Sequence, residues 1–481
     1  MPSGAEFATD IFLDQDRLDR IKSEFKEDLE VVMTHGHRNY LKWLGVDRKK
    51  PQVRALGNAD LEEVIDSGLE NNGGAILDLL QDFDARWAEQ LTDQDGNELL
   101  SPVEAQRLAD LGVHDPLVIP AVNDERVAGL FANEKFRSLL ALTASEDFEW
   151  DTERYPVYLL VSTLIGVAAG AAMLGMAKVH ADAALKNAPP LPGAPDEIQW
   201  EVVIPSLSVK SSSQLVGVWR KLIACDPASS GYAAVSAGIA RRVMEMTVDY
   251  QVWISKLYHN LFRPADSFNK FSKAVMFMRA AGDLIDTEYE TAQKSAARGY
   301  YEDIAENDLQ PTAIATTNYT RLVSRTAVPE DALYFLNGRT GAQYDPYLQQ
   351  NVQNDSYHIV FPSIFVQSAV KPFADVGMMA RYRDFFELTQ QAGLLVVVGF
   401  GFNGDDGHIN ALVRQLLEAG TTVLVFDYQG RQLKAYEEKL RLETLSQEVR
   451  SRLKVVSISE SRTSNDMNWL GLVGKMISGH E

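Results

Sequence analysis

The segment Leu394–Asp427, LLVVVGFGFNGDDGHINALVRQLLEAGTTVLVFD, constrains the fold of this chain more than any other. An apolar run enters a glycine turn, an amphipathic helical pattern follows, and a second β-branched run ends in an acid. A strand that is apolar on both faces must be covered on both, so this pattern predicts a parallel strand–helix–strand crossover in a buried sheet. Gly399, Gly401 and Gly404 fit G-x-G-x-x-G in the context such a fingerprint needs, between a strand and a helix. Glycines let a backbone approach a pyrophosphate, and the helix that follows presents free N–H groups to it. Asp427 closes the next strand, where a carboxylate accepts hydrogen bonds from a ribose. Asp405 and Asp406 open the helix, where they cap it but repel a nearby phosphate. A plain strand-to-helix turn is the alternative reading.

The runs TAIATTNY, YHIVFPSIFV and LKVVSIS have the same β-branched texture, and helical patterns separate several of them. Together they predict an α/β fold around a Rossmann-like parallel sheet. Upstream, LDRIKSEFKEDLEVVM and GGAILDLLQDFDARWAEQL repeat apolar residues at helical spacing. A chain of 481 residues exceeds what one ordinary core serves, so two domains are expected. The proline-dense stretch Asn187–Glu197 sets their boundary. A mainly helical domain is expected over 1–195, and an α/β domain over 196–481 with a helical insertion at about 228–307.

Composition removes several function classes. A net charge of −21 argues against general affinity for nucleic acid or anionic lipid, because phosphates are repelled by such a surface. The single cysteine, Cys225, excludes an intrachain disulfide and a Cys-based metal site. His35 and His37 in THGH lack a third ligand at metal spacing, so no metal is expected. The start, MPSGAEFATDIFLDQD, lacks the basic-then-apolar order of a signal peptide, which fits a cytoplasmic protein. Tyr155–Ala177 carries no charge and is long enough to span a bilayer. Its Ala and Gly content and the absence of a basic flank favour a buried or oligomer-forming helix, with Gly166 and Gly170 suited to close contact.

Four segments then fall in a recognisable order: ATTNYTRLV at Ala315–Val323, VFPSIFVQSAVKPF, GFGFNGDDGHIN and VLVFD. Together they resemble the sirtuin family, above all the divergent sirtuin-like domains of bacterial defence proteins. The resemblance implies a sirtuin-type sheet, NAD as substrate or ligand, and Asn318 as the catalytic-site Asn with Thr317 beside it. It also implies Gly399, Gly401 and Asn403 at the phosphate turn and Asp427 at the adenosine ribose. Where the family has a glycine-rich first loop, IPSLSVKSSSQLVGVW offers Ser206 and Ser208, while Pro205 has no N–H to give a phosphate. Where the family has a catalytic His, YFLNGRTG offers Asn337, an amide that cannot accept a proton as neutral imidazole does. Gly401 stands where the family usually has Ser. His358 and His408 are substitute bases only if they are not simply surface or satisfied histidines. With one cysteine no zinc ribbon exists, which argues against deacylase activity.

Two functions follow from the resemblance. One is an NAD glycohydrolase of the anti-phage type, with Asn318 positioning water or the ribose hydroxyls. Its helical domain then builds a homo-oligomer or meets a protein partner. The other is a catalytically degenerate domain serving as nucleotide sensor or protein–protein scaffold. A Rossmann oxidoreductase is a weaker third, since no Tyr-x-x-x-Lys set accompanies the glycines.

Overall fold

The computed structural model describes residues 4–47, 51, 53–54, 56–89, 91, 98–111, 125–144, 149–185, 212–225, 231–294, 298–352, 357–365, 376–428, 430–459 and 461–479. The proline-dense stretch and the first-loop serines, Ser206 and Ser208, lie outside these residues. The chain forms two compact units: Met1–Leu18 with Leu56–Trp253, and Asp19–Ala55 with Ile254–Glu481. This division differs from the expected boundary at 195, for reasons that appear in each unit.

In the first unit the helix Asn58–Gln81 packs on the helices Tyr155–Leu185, Ser212–Ala224 and Tyr232–Thr247. Small residues allow the crossings. A Cβ at Gly68 would stand 1.8 Å from the Thr247 carbonyl oxygen, and one at Gly170 would stand 2.8 Å from Leu69 Cδ1. Over its described side chains the uncharged run is therefore covered by protein, with Val157, Leu160, Val161, Leu164 and Val167 all buried. Among the described residues no helix is long and apolar enough to cross a membrane. Because Tyr232–Thr247 buries its apolar stripe here, part of the expected insertion belongs to this unit, as does Ser212–Ala224, which was expected in the α/β domain.

The second unit is mixed α/β, with small parallel and antiparallel sheets. Strands β1 (Ile314–Thr316) and β2 (Leu333–Phe335) pair in parallel. The strand β3 (Gly338–Asp345) is flanked by β4 (Gln350–Val352) and β5 (Phe361–Ile364), both antiparallel to it. A parallel sheet follows in the order β6 (Leu394–Val398), β7 (Thr422–Asp427), β8 (Leu453–Ser457). Two-residue strands β9 (Thr463–Ser464) and β10 (Met467–Asn468) close a hairpin.

Alternation along the strands divides the core into two layers. Val423 and Val425 of β7 join Leu412 and Leu416 of the helix Gly407–Glu418, whereas Leu424 and Phe426 join Ile304, Trp469 and Val473. The β1–β2 ribbon keeps the same division: Ala315 and Tyr334 pack into the first layer and Ile314 into the second. The expected crossover Leu394–Asp427 thus forms as read. The run YHIVFPSIFV does not join a parallel sheet. Pro362 has no N–H for a second neighbour, and β5 lies at the edge of the antiparallel sheet, on Gly282 of the helix Phe268–Lys294.

Residues 19–55 belong to this unit because Tyr40 anchors them. Its hydroxyl accepts a hydrogen bond from Ile359 N at 2.7 Å, and its ring stacks on His358 at 3.9 Å. His358 Nδ1 lies 2.6 Å from the Asp345 carboxylate, which is wholly buried. The other Asp345 oxygen accepts from Tyr347 N and Leu348 N. His358 is a satisfied structural histidine.

Candidate functional site

The site is built at the ends of β1, β2, β6 and β7. Parallel pairing sets Thr316 opposite Phe335, and Leu336 N donates to the Thr316 carbonyl at 2.9 Å. The turns that follow, 317–320 and 336–338, consequently lie side by side. Thr316 Oγ1 accepts from Asn318 N at 3.0 Å, which folds the turn back on the strand end. The Asn318 side chain donates from Nδ2 to the Tyr301 hydroxyl at 3.2 Å. No described residue donates to its Oδ1. Thr317 beside it is half-buried.

Asn337 is only 5% exposed, and its Oδ1 has no hydrogen-bond partner among the described residues. Thr320 Oγ1, in the neighbouring turn, is also buried and unpartnered there. Buried polar atoms are nearly always satisfied, so two such atoms in adjacent turns mark where polar atoms of a ligand would be welcome. The backbone around Asn337 is tightly held. Phe365 N donates to its carbonyl at 2.8 Å, and the Tyr319 hydroxyl donates to the Phe365 carbonyl. Gly338 has φ +80°, and a Cβ there would come 2.0 Å from the Ser363 carbonyl oxygen.

The glycine turn leaves β6 at Gly399, which has φ +66°, is exposed, and has nothing within 4 Å of where a Cβ would stand. Phe402 takes φ +51° to bury its ring against Tyr436, with centroids 5.8 Å apart. A short 3-10 turn, Gly404–Asp406, delays the helix to Gly407, and the carbonyl of exposed Asn403 accepts from Asn410 Nδ2 at 2.9 Å. Gly401 gives its carbonyl to Lys439 Nζ at 2.5 Å.

Tyr382, on the helix Val376–Ala392, ties the helix that follows this turn to the 336–338 turn. Its hydroxyl donates to the Leu336 carbonyl, and its ring lies 5.7 Å from that of His408. Burial pushes the Tyr319 and Tyr382 hydroxyls above their usual range, and the Asp406 carboxylate adds to both shifts. The Asn337 turn, which lies beside that of Asn318, and the start of the helix after the glycine turn are therefore neighbours across Tyr382.

Asp427 ends β7 but is turned inward. It is 3% exposed, one oxygen accepts from Arg431 N at 2.7 Å, and the other accepts from the Tyr436 hydroxyl at 2.6 Å. Its carboxylate holds the following loop, which occupies the oxygens that the sequence reading offered to a ribose. His37 Nδ1 accepts from Asn39 N and the His35 ring packs on Tyr357. Among the described residues no group of His, Cys, Asp and Glu could hold a metal ion. Sequence reasoning missed Tyr301, Tyr382, Tyr436 and Lys439. Only Tyr436 and Lys439 had a local signal, as polar residues on the short helix Leu433–Lys439 just after β7. No protein family, curated protein or solved structure matches the chain.

Proposed function

We propose that the second unit is a sirtuin-like domain of the bacterial anti-phage defence type. In this reading it binds NAD or a related dinucleotide across the ends of β1, β2 and β6, and hydrolyses NAD to nicotinamide and ADP-ribose. The observation that carries it is that Tyr382 contacts both the Leu336 carbonyl, in the turn beside that of Asn318, and the ring of His408, at the start of the helix that follows the glycine turn. Asn318, held through Nδ2 by Tyr301, offers Oδ1 to a ribose hydroxyl or to the attacking water. The Asp406 carboxylate near Tyr319 favours positive charge developing on the ribosyl carbon. As water adds to that carbon, the bond to nicotinamide breaks, its electron pair leaves with nicotinamide, and the water proton passes to solvent.

A second reading, a nucleotide sensor without catalysis, is favoured by Asn337, whose amide takes no proton. In either case the helical unit is proposed to carry self-association or partner contacts, which light scattering of the full chain tests.

One pair of assays separates the readings. Incubation with NAD releases nicotinamide in the hydrolase reading, and Asn318→Ala abolishes the release. The sensor reading expects no release, but a rise in melting temperature with ADP-ribose, about 2.7 kcal/mol of stabilisation at roughly a hundredfold excess over Kd. Neither release nor stabilisation overturns both.

A further inference from the structure

We infer that Lys439 and Arg431 form an anion seat beside the glycine turn and take the pyrophosphate of the dinucleotide; the identity of that ligand rests on the nucleotide reading above. Lys439 touches the middle of the turn, donating from Nζ to the Gly401 carbonyl at 2.5 Å. An ammonium carries three N–H donors, and this contact uses one. Two positions earlier, exposed Gly399 leaves open the space that a side chain would fill. A bulky anion can approach the backbone there.

The positive charges around Lys439 are only partly balanced within the fold. Burial and then the nearby Arg431 guanidinium pull the Lys439 ammonium below its usual range, with Asp427 opposing. Asp427 is the carboxylate that acts on Lys439, and its oxygens accept from the Tyr436 hydroxyl and from Arg431 N. Glu437 and Glu438, adjacent in sequence, pair with Arg450 and Lys434 instead. Neither Lys439 nor Arg431 makes an ion pair among the described residues. Two cations thus share the single negative charge of Asp427, and Arg431 also hydrogen-bonds the Tyr436 hydroxyl, so one positive charge is left over beside the turn.

An anion across the turn would fill the remaining donors and relieve that repulsion. The seat also suits the polarity of the edge. Asp406 faces Tyr319 and Tyr382 of the β1–β2 side, while the cations stand on the side of β7. A phosphate at the β7 side avoids Asp406 and leaves the ribosyl end beside Asn318. The side chains of Lys439 and Arg431 do here what close backbone approach does in a glycine-rich loop.

The test is titration calorimetry of the full chain with inorganic pyrophosphate, ADP-ribose and adenosine, for wild type, Lys439→Met, Arg431→Gln and Lys439→Arg. Wild type is expected to bind pyrophosphate and ADP-ribose, more weakly as salt rises. Lys439→Met and Arg431→Gln each weaken both ligands at least about tenfold, leave adenosine unchanged and reduce the salt dependence, while Lys439→Arg keeps most of the affinity. Arg431 is exposed, so Arg431→Gln decides the matter even if loss of the Gly401 contact unfolds Lys439→Met. Binding of pyrophosphate but not of ADP-ribose keeps the seat and ends the nucleotide reading. Binding of ADP-ribose with wild-type affinity by Arg431→Gln and by any folded Lys439→Met overturns the seat and keeps that reading. If wild type binds neither, both fall.

Discussion

The side-chain amide of Asn318 donates to the Tyr301 hydroxyl at 3.2 Å, and that hydroxyl also stands 3.5 Å from Thr316 Oγ1. Tyr301 thus fixes which end of the Asn318 amide faces outward. Tyr301→Phe keeps the ring in its apolar contacts and removes this bond together with the long contact to Thr316 Oγ1. In the proposed hydrolase, nicotinamide release is expected to fall about tenfold through kcat with KM little changed, and stability by less than about 1 kcal/mol. Steady-state kinetics and denaturant unfolding of the variant check both.

Gly338 and Gly341 form a natural pair for comparison. Both have left-handed backbone, φ +80° and +79°, yet a Cβ meets the Ser363 carbonyl oxygen at 2.0 Å in the first and nothing within 4 Å in the second. Gly341→Ala is expected to cost about 1 kcal/mol, the conformational strain alone. Gly338→Ala adds the clash with β5 and is expected to cost about 3 kcal/mol or more. Urea midpoints of the two variants measure the difference. Equal midpoints would contradict the close approach of β5.

Burial, followed by the hydrogen bond to Asp427, pushes the Tyr436 hydroxyl up to about 12. An unfolded tyrosine loses its proton near pH 10, so between these values the unfolded chain binds fewer protons than the folded one. Stability from this group is complete below about pH 10 and is lost as pH rises toward 12. Tyr436→Phe flattens that alkaline loss. Tyr232, also pushed up to about 12, retains part of it. Unfolding free energies at a series of alkaline pH values give the slope.

Tyr40→Phe removes the acceptor of the buried Ile359 N–H while keeping the stack on His358. An unsatisfied buried donor costs about 1–3 kcal/mol. Loss of that size, with faster hydrogen exchange at Ile359, is the expected result.

What the sequence made legible was what is local. Leu394–Asp427 forms β6, a helix and β7 as its pattern requires, because apolar runs and glycines act on their neighbours. The placement of residues 19–55 was not legible, because Tyr40 finds its partner 319 positions away at Ile359. Nor was the edge position of β5, since YHIVFPSIFV reads as a strand whichever neighbour it finds. Asp427 was correctly placed at the end of a strand, but its side chain was not, because Tyr436 nine positions later captures it. The same is true of Asn318: its turn was legible, whereas its hold by Tyr301 depends on a helix end meeting a strand end.

Equilibrium binding of ADP-ribose to the full chain, compared between wild type, Asn318→Ala and Gly399→Val, tests the central claim most directly. Wild type is expected to bind, and each substitution to weaken binding about tenfold or more, since each alters one of the two turns proposed to touch the ligand. Binding that neither substitution disturbs, or no binding of ADP-ribose or NAD by wild type, would contradict that claim.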